Sequence, residues 1–404
     1  MATSRKRWLV FTAGILANTC MGAGYAFSVF KKDLIEVLHC TTQEATLAYS
    51  LSFAFLPLGM IVGGLISRRI GPRIAVAMGG TIFGLGVLLA GFVNSGYCLH
   101  ISYGLMVSLG NGIIYATGIA VAVRWFPERK GFASGAVVAA LGVGTLGVAN
   151  IGQLLVTQIG VQGALKALGI CFLCIIVPAS RFIIDPPNDA APAVNGAADS
   201  GKDGRDVYWT QMLRQPAFWV LFALYICGAS PGLLLISEAK EVAVNITGLG
   251  DVAAASMVGV LGGVASAAGR LGWATVSDKI GRLNTLTAIL IITGLAMVTM
   301  PQIAQTNQGL WLGYLAVGLC YGGVLGTFPS LCADRFGTRN IEVNYALLFI
   351  AFSVAGLLGP WIGAQLKAVN DSYTSGFIFS AALAGVGLVL SMTLRLRRNN
   401  KVAG

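Results

Sequence analysis

Twelve apolar runs, each long enough to cross a bilayer as a helix, divide this chain into six and six. They lie near 8–30, 43–66, 74–95, 101–123, 132–157 and 164–184, then near 216–237, 252–276, 284–304, 309–332, 343–366 and 374–394. A bilayer core takes about 20 apolar helical residues. Backbone groups inside it must satisfy one another, so such runs fold as helices. Between the sixes lies Asp185–Arg214, a Pro-, Ala- and Asp-rich stretch with no apolar periodicity, which reads as a linker. The expected architecture is all-α and integral to the membrane, with twelve transmembrane helices. A six-helix bundle would span 1–184, a cytoplasmic linker 185–214, and a second six-helix bundle 215–404.

Composition closes off other classes. The chain is 56% hydrophobic and only 11% charged, with a mean hydropathy of +0.77, whereas soluble domains are about a quarter charged. The net charge of +11 is spread between the apolar runs, which argues against a nucleic-acid partner. Of the 27 lysines and arginines, only Lys31, Lys32, Lys166, Lys240 and Lys367 fall on one side of the runs, and Arg270 lies inside one. The rest crowd the side that holds both termini, which the positive-inside rule makes cytoplasmic. A multi-pass protein of the plasma (inner) membrane is expected, with Arg5-Lys6-Arg7 preceding a retained first helix rather than a cleaved signal.

Motifs for soluble chemistry are weak. The eight cysteines lie mostly inside apolar runs, so no disulfide framework is expected, and Cys171-x-x-Cys174 reads as helix packing. With His39 and His100 the only histidines, a metal site has almost no imidazole to use. The GxGxxG match Gly142–Gly147 has no preceding strand, the context a dinucleotide site requires. No cofactor is expected, and no enzymatic constellation is present.

The two halves repeat at an offset of 210 residues. That shift places Arg68-Arg69-Ile70-Gly71 on Asp278-Lys279-Ile280-Gly281, Trp125-Phe126 on Arg335-Phe336, and Gly112 on Gly322. Parallel six-helix repeats are a transporter architecture in which substrate binds near the membrane midplane where the repeats meet.

Arg270 is the one ionisable residue in Met257–Val276. A charge at that depth costs about 3 kcal/mol or more unless paired, hydrated or provided with an anion. The small neighbours Ala267, Ala268, Gly269 and Gly272 leave room beside it. The bland alternative is that Arg270 snorkels toward Asp278, about 12 Å along the helix. Asn111 and Tyr115 share one face of their helix at four-residue spacing, and Tyr321 is the repeat mate of Asn111. All three could hydrogen-bond a hydroxyl or carboxylate, and Tyr25 is a similar candidate. Leu141, Phe349 and Phe352 would supply apolar walls.

The loop Gly64–Arg73 (GLISRRIGPR) resembles the GxxxD(R/K)xG(R/K) signature of the major facilitator superfamily, with Arg68 where the family usually has aspartate. The second copy, Ala274–Arg282, keeps the acid as Asp278. The resemblance implies that Arg68, Arg69, Asp278, Lys279 and Arg282 help stabilise one access state. Three further segments resemble the oxalate–formate antiporter and monocarboxylate transporter group: Arg214-Gln215-Pro216-Ala217-Phe218-Trp219, Arg124–Gly131 (RWFPERKG), and Arg270 eight residues before Asp278. In that group the equivalent of Arg270 binds substrate carboxylate. The oxalate carrier adds a second membrane cation, a lysine, where this chain has Phe352 after Asn344-Tyr345. One cation amid apolar groups suits a monocarboxylate, two a dicarboxylate. Animal monocarboxylate transporters carry an aspartate one turn before the arginine, where this chain has Ser266.

These features together give the expectation of a secondary active transporter of small monocarboxylates such as lactate or pyruvate, working by alternating access as a monomer in symport with a proton. The alternatives are an oxalate/formate-type anion exchanger and a passive weak-acid channel.

Overall fold

The computed structural model describes residues 2–24, 27–187, 206–247, 260–370 and 373–402. Tyr25 lies outside them. Among the described residues the regular structure is entirely helical. Nine helices among the described residues are long and apolar enough to cross a bilayer. One of them, Pro127–Phe182, is 56 residues long and carries two of the sequence runs, which meet at Gly160 with a φ of 72°. The first run is a helix, Ala2–Cys20, followed by a 3-10 turn and the helix Phe27–Leu38. The eighth enters through a π-helical segment, Val260–Ala265, and continues as the α-helix Ser266–Ile280.

The chain forms two compact units. The first holds Met1–Ala133, Ala140–Val207 and Ala333–Leu347; the second holds Ser134–Ala139, Tyr208–Cys332 and Leu348–Gly404. Each unit thus includes a short stretch whose sequence belongs to the other repeat.

The 210-residue offset reappears as geometry. Helix Leu56–Ile70 ends at Gly71, φ 95°, whose N–H donates to Ser67 O at 2.9 Å. Helix Ser266–Ile280 ends at Gly281, φ 89°, whose N–H donates to Ser277 O at 3.1 Å. A left-handed φ favours glycine because it has no Cβ, which is why the turn after each copy keeps that residue. Close helix packing repeats too. A Cβ on Gly59 would strike the backbone of Leu109, and one on Gly269 the backbone of Leu319. Likewise Gly112 lies on the backbone of Leu56, and Gly322 on that of Ser266. Four glycines therefore hold the second helix of each repeat against the fourth, as expected where small residues let membrane helices approach.

Of the glycines of the GxGxxG match, Gly144 has a packing role. Gly144 lies against the backbone of Thr19, and a Cβ on Gly22 would strike Gly144.

Candidate functional site

Two arginines, Arg124 half-buried and Arg270 buried, set opposite patterns. Arg124, at the end of helix Val107–Trp125, uses all three guanidinium nitrogens. Its Nη2 donates to both carboxylate oxygens of Glu342, at 2.7 and 2.8 Å, and to Arg339 O; Nη1 donates to Asp185 Oδ1 at 2.9 Å; Nε donates to Thr338 O at 3.3 Å. Glu342 is 1% exposed and also accepts from Ser67 Oγ at 3.3 Å. The cluster lies wholly in the first unit and ties residues 338–342 to Ser67, the residue just before Arg68.

Arg270 is 5% exposed in the second unit. Among the described residues it makes one hydrogen bond, from Nη1 to Val138 O at 3.2 Å. Its Nε is buried without a partner. No described carboxylate forms an ion pair with it: Asp278 pairs instead with Arg282 at 2.7 Å. Arg270 thus does not pair with Asp278, the acid eight residues on toward which it could snorkel. A buried donor left unmade costs about 1–3 kcal/mol. With Nη1 occupied, the Nε–Nη2 edge remains, and that edge has the planar two-donor spacing a carboxylate accepts.

The backbone of Arg270 is held by close contacts. Cβ atoms on Gly135 or Gly326 would meet its carbonyl, and Ser134 Oγ donates to Gly326 O at 3.4 Å. In the same unit, Tyr321 and Phe352 lie with ring centroids 6.4 Å apart, and Phe349 and Phe352 4.9 Å apart. Tyr225 stacks on Phe328 at 3.9 Å and lies 6.3 Å from Phe352. These five rings make a continuous aromatic wall on three helices.

The remaining sequence candidates fall in the first unit. Asn111 and Tyr115 are both buried on helix Val107–Trp125, and Asn111 Oδ1 has no partner. Leu141 is buried in the helix that follows. Of the signature-loop residues, Arg68 and Arg69 are exposed at the end of helix Leu56–Ile70, and Lys279 is exposed at the matching end of helix Ser266–Ile280. Arg282 pairs with Asp278 and also donates to Ser277 Oγ.

Sequence reasoning missed Glu342, Asp185, Val138, Tyr225 and Phe328, and read Arg124 as an orientation charge and as part of a family-like segment, not as the partner of an acid. Glu342 carried a usable signal, being an acid at the start of an apolar run. Val138 carried none, because its contribution is a backbone carbonyl.

Helical spans, the repeated packing and the matched residues define a family. The Major Facilitator Superfamily model matches residues 11–360, and the chain belongs to that superfamily. It is a multi-pass membrane transporter rather than an enzyme. It is 28% identical over 389 residues to the oxalate:formate antiporter of Oxalobacter formigenes, covering 95% of this chain and 90% of that one. It is 26% identical over 396 residues to monocarboxylate transporter 13 of Bos taurus, covering 95% and 89%. The fold matches the transporter FucP, solved in an outward conformation, with a TM-score of 0.75 at 12% identity over 96% of this chain and 99% of that one. The sequence resemblance to the superfamily and to its oxalate–formate and monocarboxylate members thus stands.

Proposed function

We propose that this protein is a secondary active transporter of small monocarboxylates such as lactate and pyruvate, working by alternating access in symport with a proton. The observation that carries the reading is the unfilled Nε–Nη2 edge of buried Arg270. A substrate carboxylate would take that edge with two charge-assisted hydrogen bonds, worth about 1.5–3 kcal/mol each. Tyr321, Phe349 and Phe352 would contact the carbon skeleton. Asn111, Tyr115, Leu141 and Tyr25 are proposed as further substrate contacts, and Arg68, Arg69, Asp278, Lys279 and Arg282 as groups that stabilise one access state. The substrate carboxylate itself would carry the proton, since no described acid pairs with Arg270. The protein would act as a monomer of two six-helix bundles, 1–184 and 215–404, joined by a cytoplasmic linker, in the plasma (inner) membrane with both termini cytoplasmic.

A second reading, oxalate/formate-type exchange, is favoured by the same absence, among the described residues, of an acid paired with Arg270 and by the likeness to the antiporter. Proteoliposome uptake of labelled L-lactate separates the two. Symport predicts accumulation driven by an inward proton gradient, with alkalinisation outside. Exchange predicts uptake indifferent to that gradient and accelerated by substrate loaded inside. Fully passive, non-saturable entry would contradict both.

A further inference from the structure

Ser266 stands one turn before Arg270 on helix Ser266–Ile280, directly after the π-helical segment Val260–Ala265. It is 0% exposed, and among the described residues its Oγ has no hydrogen-bond partner. Residues four apart share a helix face, and a long helical side chain lies back over the turn that precedes its own Cα. By that rule the Arg270 guanidinium is expected to lean toward the level of Ser266. Two buried donors without acceptors, Ser266 Oγ and Arg270 Nε, occupy one face within one turn.

Packing does not require that pair. The 210-residue repeat reproduces this helix contact in the first unit, where Gly59 meets Leu109 and Gly112 meets Leu56. The residues at the positions of Ser266 and Arg270 there are Leu56 and Met60, which are 4% and 0% exposed. The same backbone approach is thus filled by two apolar side chains that leave no donor stranded. In a serine within a membrane helix the hydroxyl ordinarily bonds a carbonyl one turn back. Ser230, on helix Pro216–Thr247, does so with Ile226 O at 2.8 Å. Ser266 does not, and the π-helical turn just before it displaces the regular i−4 carbonyl register. A buried polar atom without a partner calls for an explanation, and here a ligand atom supplies one.

Resting on the carboxylate reading of Arg270, we infer that Ser266 sets substrate specificity. Its hydroxyl hydrogen-bonds an oxygen at C2 of the substrate while Arg270 holds the carboxylate, so the site selects 2-hydroxy and 2-oxo monocarboxylates over unsubstituted short-chain acids. A carboxylate and its neighbouring 2-oxygen are close and roughly coplanar in such acids, which suits donors one helical turn apart on the same face.

The test compares L-lactate, pyruvate, propionate and acetate as competitors of uptake by the full-length protein in proteoliposomes. Wild type should favour lactate and pyruvate over propionate. Ser266→Ala should weaken lactate and pyruvate by about tenfold, the factor for one lost hydrogen bond, and leave propionate within about twofold. Ser380→Ala, at another fully buried hydroxyl without a partner, should leave the order unchanged. Because Ser266 Oγ bonds no described residue, the alanine variant should keep the wild-type melting temperature. Equal loss for all four acids, or no loss for any, would overturn the inference while leaving the Arg270 reading intact. A wild type that handles none of the four would overturn both.

Discussion

Arg124 Nη2 donates to both oxygens of Glu342 at 2.7 and 2.8 Å across 218 residues of sequence. The two partners are unequally protected against loss of the other. Arg124 would keep Asp185 and two carbonyls if Glu342 were neutralised, whereas Glu342 would keep only Ser67.

Arg124→Gln should therefore destabilise more than Glu342→Gln. Removing one partner of a buried pair costs about 3–5 kcal/mol; the arginine variant should reach that range and the glutamate variant fall below it. Thermal unfolding of the detergent-solubilised protein measures both. The double variant should be more stable than additivity predicts, since the stranded carboxylate is gone.

The glycine contacts give a second, purely steric prediction. Gly59→Ala and Gly269→Ala, at repeat positions, should each lower stability by about 1–3 kcal/mol, as overpacking does. Gly147→Ala meets nothing within 4 Å and should be neutral or stabilising by up to about 1 kcal/mol, the helix-propensity difference. Melting temperatures of the three variants, taken side by side, check the contrast.

How much of this was legible beforehand depended on how local the signal was. The helical spans followed from run length, because a bilayer leaves helix as the available structure. Gly71 and Gly281 were visible as repeat mates, and their shared left-handed turn explains why the repeat survives there. Arg270 stood out because no other charge lies in its run. The Arg124–Glu342 pair did not stand out. Its members come from different repeats, Glu342 falls on Phe132 under the 210 offset, and charge counting treats Arg124 as one of many cytoplasmic cations. The single Arg270 bond, to a backbone carbonyl, is invisible to any residue-type pattern.

Phe352 offers a test of charge selectivity. It lies in the aromatic wall at 8% exposure, where the resemblance to the oxalate carrier would place a lysine. Phe352→Lys should shift competition toward oxalate relative to lactate by about tenfold or more, the factor for roughly 1.4 kcal/mol of added anion attraction. Competition of labelled lactate uptake by oxalate reads the shift, and an unchanged ratio in a folded variant would remove Phe352 from the substrate wall.

The central claim is that Arg270 holds substrate carboxylate by its guanidinium edge. Its most direct test is gradient-driven uptake of labelled L-lactate into proteoliposomes by wild type, Arg270→Lys and Arg270→Gln, each checked for wild-type melting behaviour. The account predicts accumulation by wild type and loss of at least about a hundredfold in both variants, the factor for some 3 kcal/mol of charge-assisted contact. Lysine should fail because it keeps the charge without the two-donor fork. Folded variants that accumulate lactate as well as wild type would contradict the account.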